Sequence, residues 1–320
     1  MGNKRSTLEV LIGVLNGAVG DYLKRTRNGL ATPMTLVHED RPLPLTRAAL
    51  AAAYPVASPR PVLFVHGLMS TEDVWRMPDG ETYGSLLQRE LGVTPLYLRF
   101  NSGLHISENG EALDALLEQL VEVYPAPIEE LCLVGHSLGG LVVRSAAHAG
   151  SAGERRWLPL ARRAFYLSTP HHGAPLERLG NVVTWALSAI GNPYTEVVAD
   201  IINLRSSGVK DLRYANLRRE DWEGADADAL LQNGRHPVPL LPHIRHHLVA
   251  ATLTRDPEMA MFFGDALVPL RSATGRARPR DRSAAFPQSH VKIIPALDHL
   301  RLAHHPEVYA QLRAWYQEAA

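Results

Sequence analysis

The segment GHSLGG at residues 135–140 constrains the fold more than any other part of this 320-residue chain. A short apolar run at residues 131–134 precedes it, and a stretch with apolar residues at helical spacing, residues 138–149, follows it. The pattern glycine-x-serine-x-glycine between a strand and a helix is typical of a sharp turn that lifts a serine hydroxyl above a sheet. Glycines flank the serine because a Cβ there would collide with the neighbouring strand and helix. The sequence therefore predicts that Ser137 is a nucleophile at a helix N-terminus, where the helix dipole favours developing negative charge.

Short apolar runs and helical periodicity alternate along the chain. The apolar runs predict buried strands at residues 61–65, 94–100, 131–134, 163–167, 247–253 and 291–294. The helical spacing predicts helices at residues 108–123, 138–149 and 306–319. This alternation is typical of an α/β fold, with a mostly parallel central sheet flanked by helices on both faces.

Two regions depart from the alternation. Residues 1–60 hold an apolar stripe at helical spacing and then a proline-rich stretch, which predict an N-terminal helix and an extended lead-in packed on the core. Residues 175–245 separate two predicted strands and are far longer than an ordinary loop of roughly 2–6 residues. They include apolar stretches at residues 182–187 and 197–202, so we expect a helical cap inserted into one domain of residues 61–320.

A serine hydroxyl needs a base that removes its proton and an acid that orients the base. On a strand–turn–helix unit of this kind the chain order is serine, acid, histidine. We predict Asp265, in the segment GDALVP, as the acid and His299, just after the last strand, as the base. Asp256 is an alternative acid, although it lies close to the preceding strand and before a proline. Three further histidines are alternative bases: His290, His304 and His305. The first precedes the last strand, at the opposite end of the sheet, and the others lie at the start of the final helix.

An oxyanion hole needs two backbone N–H groups aimed at the developing charge. We predict Leu138, the residue after the nucleophile, as one donor. The other donor is expected in the loop after the first predicted strand, where Leu68 is our choice and Met69 the second. Gly67 would let the backbone of this loop approach the substrate closely.

Composition excludes several classes of protein. Lys+Arg 33 balances Asp+Glu 33, so no global basic field would draw the chain to nucleic acid, and we expect no nucleic-acid partner. The single cysteine, Cys132, excludes an intrachain disulfide and a multi-cysteine metal cluster, and it agrees with a reducing compartment. No stretch approaches the ~20 apolar residues that span a bilayer, and residues 8–19 lack a convincing cleavage site. We therefore expect a cytoplasmic protein, with contact of the N-terminal helix with a lipid surface as the alternative to core packing.

Three adjacent histidine pairs raise the question of a metal: His171-His172, His246-His247 and His304-His305. Adjacent side chains rarely point the same way, and the chain has no H-E-x-x-H pattern. We therefore expect buried, hydrogen-bonded histidines rather than metal ligands.

These motifs resemble those of the α/β-hydrolase superfamily and, more narrowly, of bacterial triacylglycerol lipases and GPI inositol-deacylase-like serine esterases. The matching segments keep the family's order and spacing: VHGL at 65–68, GHSLGG at 135–140, STPHHG at 168–173, GDALVP at 264–269 and DHL at 298–300. The resemblance implies a triad of Ser137, Asp265 and His299, with no organic cofactor.

The function expected from these residues is hydrolysis of a carboxylic ester through an acyl-enzyme. The expected partner is a small hydrophobic ester or acyl compound, because the predicted cap is apolar. A thioester or amide substrate is an alternative on the same triad, and a non-catalytic binding protein with this fold is another.

Overall fold

The computed structural model describes residues 2–175, 206–224, 235–276, 284 and 286–318. The strands within these ranges are β1 (Thr35–His38), β2 (Arg41–Leu43), β3 (Pro61–Val65), β4 (Thr94–Arg99), β5 (Leu131–His136), β6 (Ala161–Leu167), β7 (Arg245–Thr252) and β8 (Val291–Pro295). The α-helices are α1 (Gly2–Arg25), α2 (Arg47–Ala53), α3 (Tyr83–Leu91), α4 (Ile106–Val123), α5 (Leu138–Ser151), α6 (Ser207–Tyr214), α7 (Pro257–Phe263), α8 (Leu270–Ala273) and α9 (Pro306–Gln317). Each helix in the described part of the chain is too short or too polar to span a lipid bilayer.

All eight strands form one sheet, in the order β2-β1-β4-β3-β5-β6-β7-β8. Strands β3 to β8 pair in parallel, while β1 is antiparallel to both of its neighbours. The predicted α/β fold with a mostly parallel sheet is therefore confirmed. The six predicted strands all occur, with ends that differ by one or two residues.

The sheet is buried on both faces, which explains why its strands read as continuous apolar runs. Successive side chains of β3 enter different cores: Leu63 and Val65 join one cluster, and Val62 and Phe64 join the other. The first cluster includes apolar residues of α4 and α5, and the second includes those of α3 and α9. Two helical layers therefore enclose the sheet.

The antiparallel edge of the sheet was not predicted from the sequence. The proline-rich lead-in contains β1 and β2, and Leu36 of β1 is registered against Leu98 of β4. The two strands are only four and three residues long, so they carry too little alternation to be recognised from sequence.

The N-terminal helix α1 packs against the rest of the molecule. Val14 and Ala18 are buried in the same apolar cluster as the central strands. The buried amide of Asn16 donates to the Leu30 carbonyl and accepts from the Thr32 N–H, each at 2.8 Å. Of the apolar residues at helical spacing, Leu23 is buried and Val19 packs against this cluster, whereas Leu8 and Leu11 are exposed, so core packing accounts for only part of the stripe.

A buried charge cluster joins α1 to the sheet. Arg99, at the end of β4, donates from Nε to Glu72 at 2.8 Å and makes a second hydrogen bond to the same carboxylate. Its Nη1 also lies 2.6 Å from a carboxylate oxygen of Glu9 on α1. Two carboxylates therefore offset the cost of burying this guanidinium.

The insertion, residues 175–245, lies between β6 and β7 in the chain. Its described residues include α6 and a short 3₁₀ turn at Arg219–Asp221. The two apolar stretches predicted as cap helices, residues 182–187 and 197–202, lie outside the described residues.

Candidate active site

Ser137 stands between β5 and α5, as the strand–turn–helix pattern predicts. Its backbone has φ 54° and ψ −125°, a conformation that is strained for a residue with a side chain. The Ser137 N–H donates to the Leu167 carbonyl at 2.8 Å, so the neighbouring strand holds the turn in place. The serine is therefore presented by a rigid and strained support.

The three glycines of the motif are required by close approach. A Cβ on Gly135 would lie 2.5 Å from the Cα of Gly140, and one on Gly139 would lie 2.3 Å from the Val65 carbonyl oxygen. A Cβ on Gly140 would lie within 2.9 Å of side-chain carbons of Thr169. Because backbone atoms occupy most of this space, larger residues would force β5, α5 and β3 apart.

Asp265 and His299 are joined twice. The His299 Nδ1 lies 2.7 Å from an Asp265 carboxylate oxygen, and the His299 N–H donates to the Asp265 carbonyl at 3.1 Å. A carboxylate only accepts, so Nδ1 carries the proton and Nε2 keeps its lone pair. Both side chains are buried, and the imidazole is fixed in one tautomer and one orientation.

The segment GDALVP forms a turn that prepares the carboxylate. The second oxygen of Asp265 accepts hydrogen bonds from the N–H groups of Leu267, at 3.1 Å, and Val268, at 2.8 Å. Burial alone would raise the pKa of Asp265, but the facing His299 and the hydrogen bonds from His299 and from the Val268 N–H hold that pKa below its usual value. Asp265 is therefore ionised near neutral pH.

The loop after β3 lies beside the serine. A Cβ on Gly67 would come within 3.0 Å of the Ser137 Cβ, so the glycine permits this approach. Leu68 lines the same cavity as Ser137, while the Met69 N–H already donates to the Ser102 hydroxyl at 3.0 Å. Leu138 is the first residue of α5, where backbone N–H groups have no partner within the helix. Of the two predicted donors in this loop, Leu68 is therefore favoured over Met69.

Ser137 and His299 line one narrow cavity of about 20 Å³, which has room for about one water molecule. Apolar side chains form most of its lining, including Leu68, Leu212 and Leu300. The structure thus brings Ser137, His299 and Leu68 to one cavity, with Asp265 behind the imidazole.

The alternative acid and bases have other contacts. Asp256 caps α7 by accepting from the Glu258 and Met259 N–H groups. The other histidines contact backbone groups away from Ser137: His290 the His246 carbonyl, His304 the Val74 carbonyl and His305 the Glu307 N–H. These contacts are structural.

Two further histidines support the site, and neither was assigned a role from the sequence. His136 Nε2 donates to the His299 carbonyl at 2.9 Å, and the two rings lie 4.9 Å apart. Burial, followed by the nearby His299, lowers the pKa of His136 to about 3, so its ring is neutral. In the loop after β3, His66 Nδ1 faces the Gly67 carbonyl at 2.9 Å, and its Nε2 accepts from the Phe100 N–H at 3.3 Å. The only sequence signal was that both rings flank motif glycines.

Of the pair His171-His172, the first ring is buried and the second half-buried, and both have arginine partners. Arg144 faces the His171 Nδ1 at 3.2 Å, and Arg235 hydrogen-bonds to His172. Burial, together with Arg144, lowers the pKa of His171 well below its usual value. Among the described residues, no group of three or more histidine, cysteine or acidic side chains is arranged to hold a metal ion.

Comparison with known proteins identifies the family and the fold of the chain. Residues 62–312 match the sequence model of the Alpha/beta hydrolase family. The chain belongs to this family. The mature form of the Bacillus licheniformis lipase BlEst2 is similar in fold, with a TM-score of 0.50 at 19% identity over 80% of this chain and 91% of that chain. The propeptide form of the same lipase gives a TM-score of 0.54 at 17% identity, over 90% of this chain and 55% of that one. No curated protein sequence matches the chain.

Proposed function

We propose that this α/β hydrolase is a serine esterase that cleaves carboxylic esters with Ser137 as nucleophile, His299 as base and Asp265 as the acid that orients the base. The His299 ring lines the same cavity as Ser137. The observation that carries the proposal is the hydrogen bond from Nδ1 of this ring to the buried Asp265 carboxylate. It leaves Nε2 as the basic nitrogen. The likeness to a lipase fold supports hydrolysis of an acyl compound only as an analogy.

The reaction follows from these groups. His299 Nε2 takes the Ser137 proton while Oγ bonds to the ester carbonyl carbon, and the resulting oxyanion accepts from the N–H groups of Leu68 and Leu138. The tetrahedral species collapses, the carbon–alkoxide bond breaks, and His299 gives its proton to the departing alcohol. Water then attacks the acyl-enzyme with the same base, and the carboxylic acid leaves as Ser137 regains its proton.

The test is covalent labelling with a fluorophosphonate probe, followed by hydrolysis of p-nitrophenyl acetate. We expect the probe to label the wild-type protein at Ser137. Ser137→Ala should not be labelled, and its rate of ester hydrolysis should be at most about 10⁻³ of the wild-type rate. Ser151→Ala is the matched control, because this serine lies at the exposed end of the same helix and should leave both readouts unchanged.

Folded wild type that neither labels nor hydrolyses any ester would refute the proposal. That result would favour a binding protein with this fold.

A further inference from the structure

The lining of the cavity comes from two sides. Leu267 and Leu300 belong to the loops that carry Asp265 and His299. Ala174 and Leu212 come from the region between β6 and β7, with Leu212 on α6. The wall formed by Ala174 and Leu212 is called the insertion wall below.

The insertion wall is bonded to the loop beside Ser137, and Gly173, which precedes Ala174, also accepts from the Ser272 hydroxyl on α8 at 2.7 Å. The first turn of α6 bonds to Gly103, because the Gly208 N–H donates to its carbonyl at 3.0 Å. The preceding residue, Ser102, accepts the Met69 N–H at 3.0 Å. The insertion wall and the loop of Leu68 are therefore connected through one short turn.

Buried hydrogen bonds hold α6 in place. The Asp211 carboxylate, only 1% exposed, accepts from the Ile106 N–H at 2.9 Å and faces His105 Nδ1 at 3.0 Å. The Ser206 hydroxyl, at the N-cap of α6, donates to the Gly17 carbonyl on α1 at 2.7 Å. Moving α6 outward would leave these buried polar groups without partners, which is unfavourable.

Close backbone contacts also fix the insertion wall. A Cβ on Gly208 would lie 2.2 Å from the Ser102 carbonyl oxygen, and one on Gly173 would lie 2.1 Å from the Arg213 carbonyl oxygen. The Ala174 N–H donates to the Leu212 carbonyl at 3.0 Å, so both members of the wall are bonded to each other. Leu212 is thus a fixed boundary of the cavity.

We propose that Leu212 ends the acyl-binding side of the site and restricts the enzyme to esters of short-chain acids, from acetyl to about butyryl. This inference rests on the proposed function. The departing alcohol must face His299, which protonates it, so the acyl group extends to the other side of the carbonyl. The Leu68 N–H takes the carbonyl oxygen, and Leu212 lines the same cavity as Leu68, so we place the acyl group against Leu212.

The experiment compares kcat/KM for p-nitrophenyl acetate, butyrate and octanoate, all below their micellar thresholds. We expect wild type to hydrolyse octanoate at least about 10-fold less efficiently than butyrate, since one methylene group that does not fit is worth roughly 10-fold or more. Leu212→Ala removes three carbon atoms from the wall and should raise the octanoate-to-acetate ratio at least about 10-fold.

Leu217→Ala is the matched control. It removes the same atoms from a site of similar burial, 4% exposed against 3% for Leu212, and Leu217 is not among the described residues that line the cavity. We expect its octanoate-to-acetate ratio to equal that of wild type. If Leu212→Ala does not fold, Leu212→Val should shift the ratio in the same direction by a smaller factor.

The outcomes separate the two proposals. Two results would refute Leu212 as the acyl boundary while the esterase proposal remains supported by labelling of Ser137 and hydrolysis of acetate. The first is cleavage of octanoate as efficiently as butyrate. The second is a Leu212→Ala variant that behaves like Leu217→Ala. A kcat/KM that depends on the length of the alcohol in ethyl, butyl and octyl acetates, and not on the length of the acid, overturns the acyl assignment. Loss of labelling and of all ester hydrolysis in folded wild type overturns both.

Discussion

Gly17→Ala would place a methyl group between α1 and the loop that carries Leu68. A Cβ at this position lies 2.4 Å from the Met69 Cγ, 2.6 Å from its nitrogen and 2.7 Å from its Cα. Ordinary contacts between carbon atoms are about 3.5–4.0 Å, so α1 or the Met69 backbone must move by about 1 Å. Met69 already has φ 54° and donates to Ser102, so the loop has little freedom to absorb the shift.

The expected effect is larger on activity than on stability. Overpacking costs about 1–3 kcal/mol, whereas alanine in place of a helical glycine returns about 1 kcal/mol of helix propensity. The net loss in free energy of unfolding should therefore be at most about 2 kcal/mol. A shift of about 1 Å at the N–H of Leu68 should lower kcat about 100-fold, with a smaller change in KM, because the oxyanion contact is made in the transition state.

The assay measures kcat and KM on p-nitrophenyl acetate together with urea unfolding of the same preparation. Gly29→Ala is the matched control, since a Cβ there meets no atom within 4 Å, and it should leave kcat and the unfolding midpoint unchanged. A folded Gly17→Ala protein with wild-type kcat would show that α1 does not position this loop.

Two predictions concern stability. Burial, with a smaller contribution from a neighbouring charge, lowers the pKa of His66 to about 4 and that of His136 to about 3. The two neutral rings therefore stabilise the folded state fully above about pH 6.5, the pKa of histidine in the unfolded chain. This stabilisation declines as the pH falls toward the two lowered pKa values. These two rings alone should lower the free energy of unfolding by about 4 kcal/mol between pH 7 and pH 5, and buried His171, whose pKa is also lowered, adds to the fall measured by urea titration. A flat profile over this range would contradict the neutral buried rings. Glu72→Gln removes one of two carboxylates from buried Arg99 and should cost about 2 kcal/mol in the same assay, less than the ~3–5 kcal/mol of an unshared buried pair. The control Glu81→Gln, in an exposed ion pair, should leave the free energy of unfolding nearly unchanged, and equal losses for the two variants would show that burial does not matter here.

The sequence determined the central sheet and the three residues that carry the proposed chemistry. Long apolar runs must be buried on two faces, and a serine between glycines at a strand–helix junction has few other conformations. The segment GDALVP was readable because its turn is local: the Asp265 oxygen bonds to N–H groups two and three residues later. Such interactions depend on neighbours in the chain and can be inferred from the order of residues alone.

Only the tertiary structure decided the surroundings of the site. The choice between Leu68 and Met69 depends on the hydroxyl of Ser102, a residue far along the chain from that loop. Leu212 became a wall of the cavity because Asp211 and Ser206 bond to α4 and α1, elements separated from α6 by about one hundred or more residues. Contacts between distant segments leave no periodic signal in a single sequence, because each partner alone reads as an ordinary polar or apolar residue.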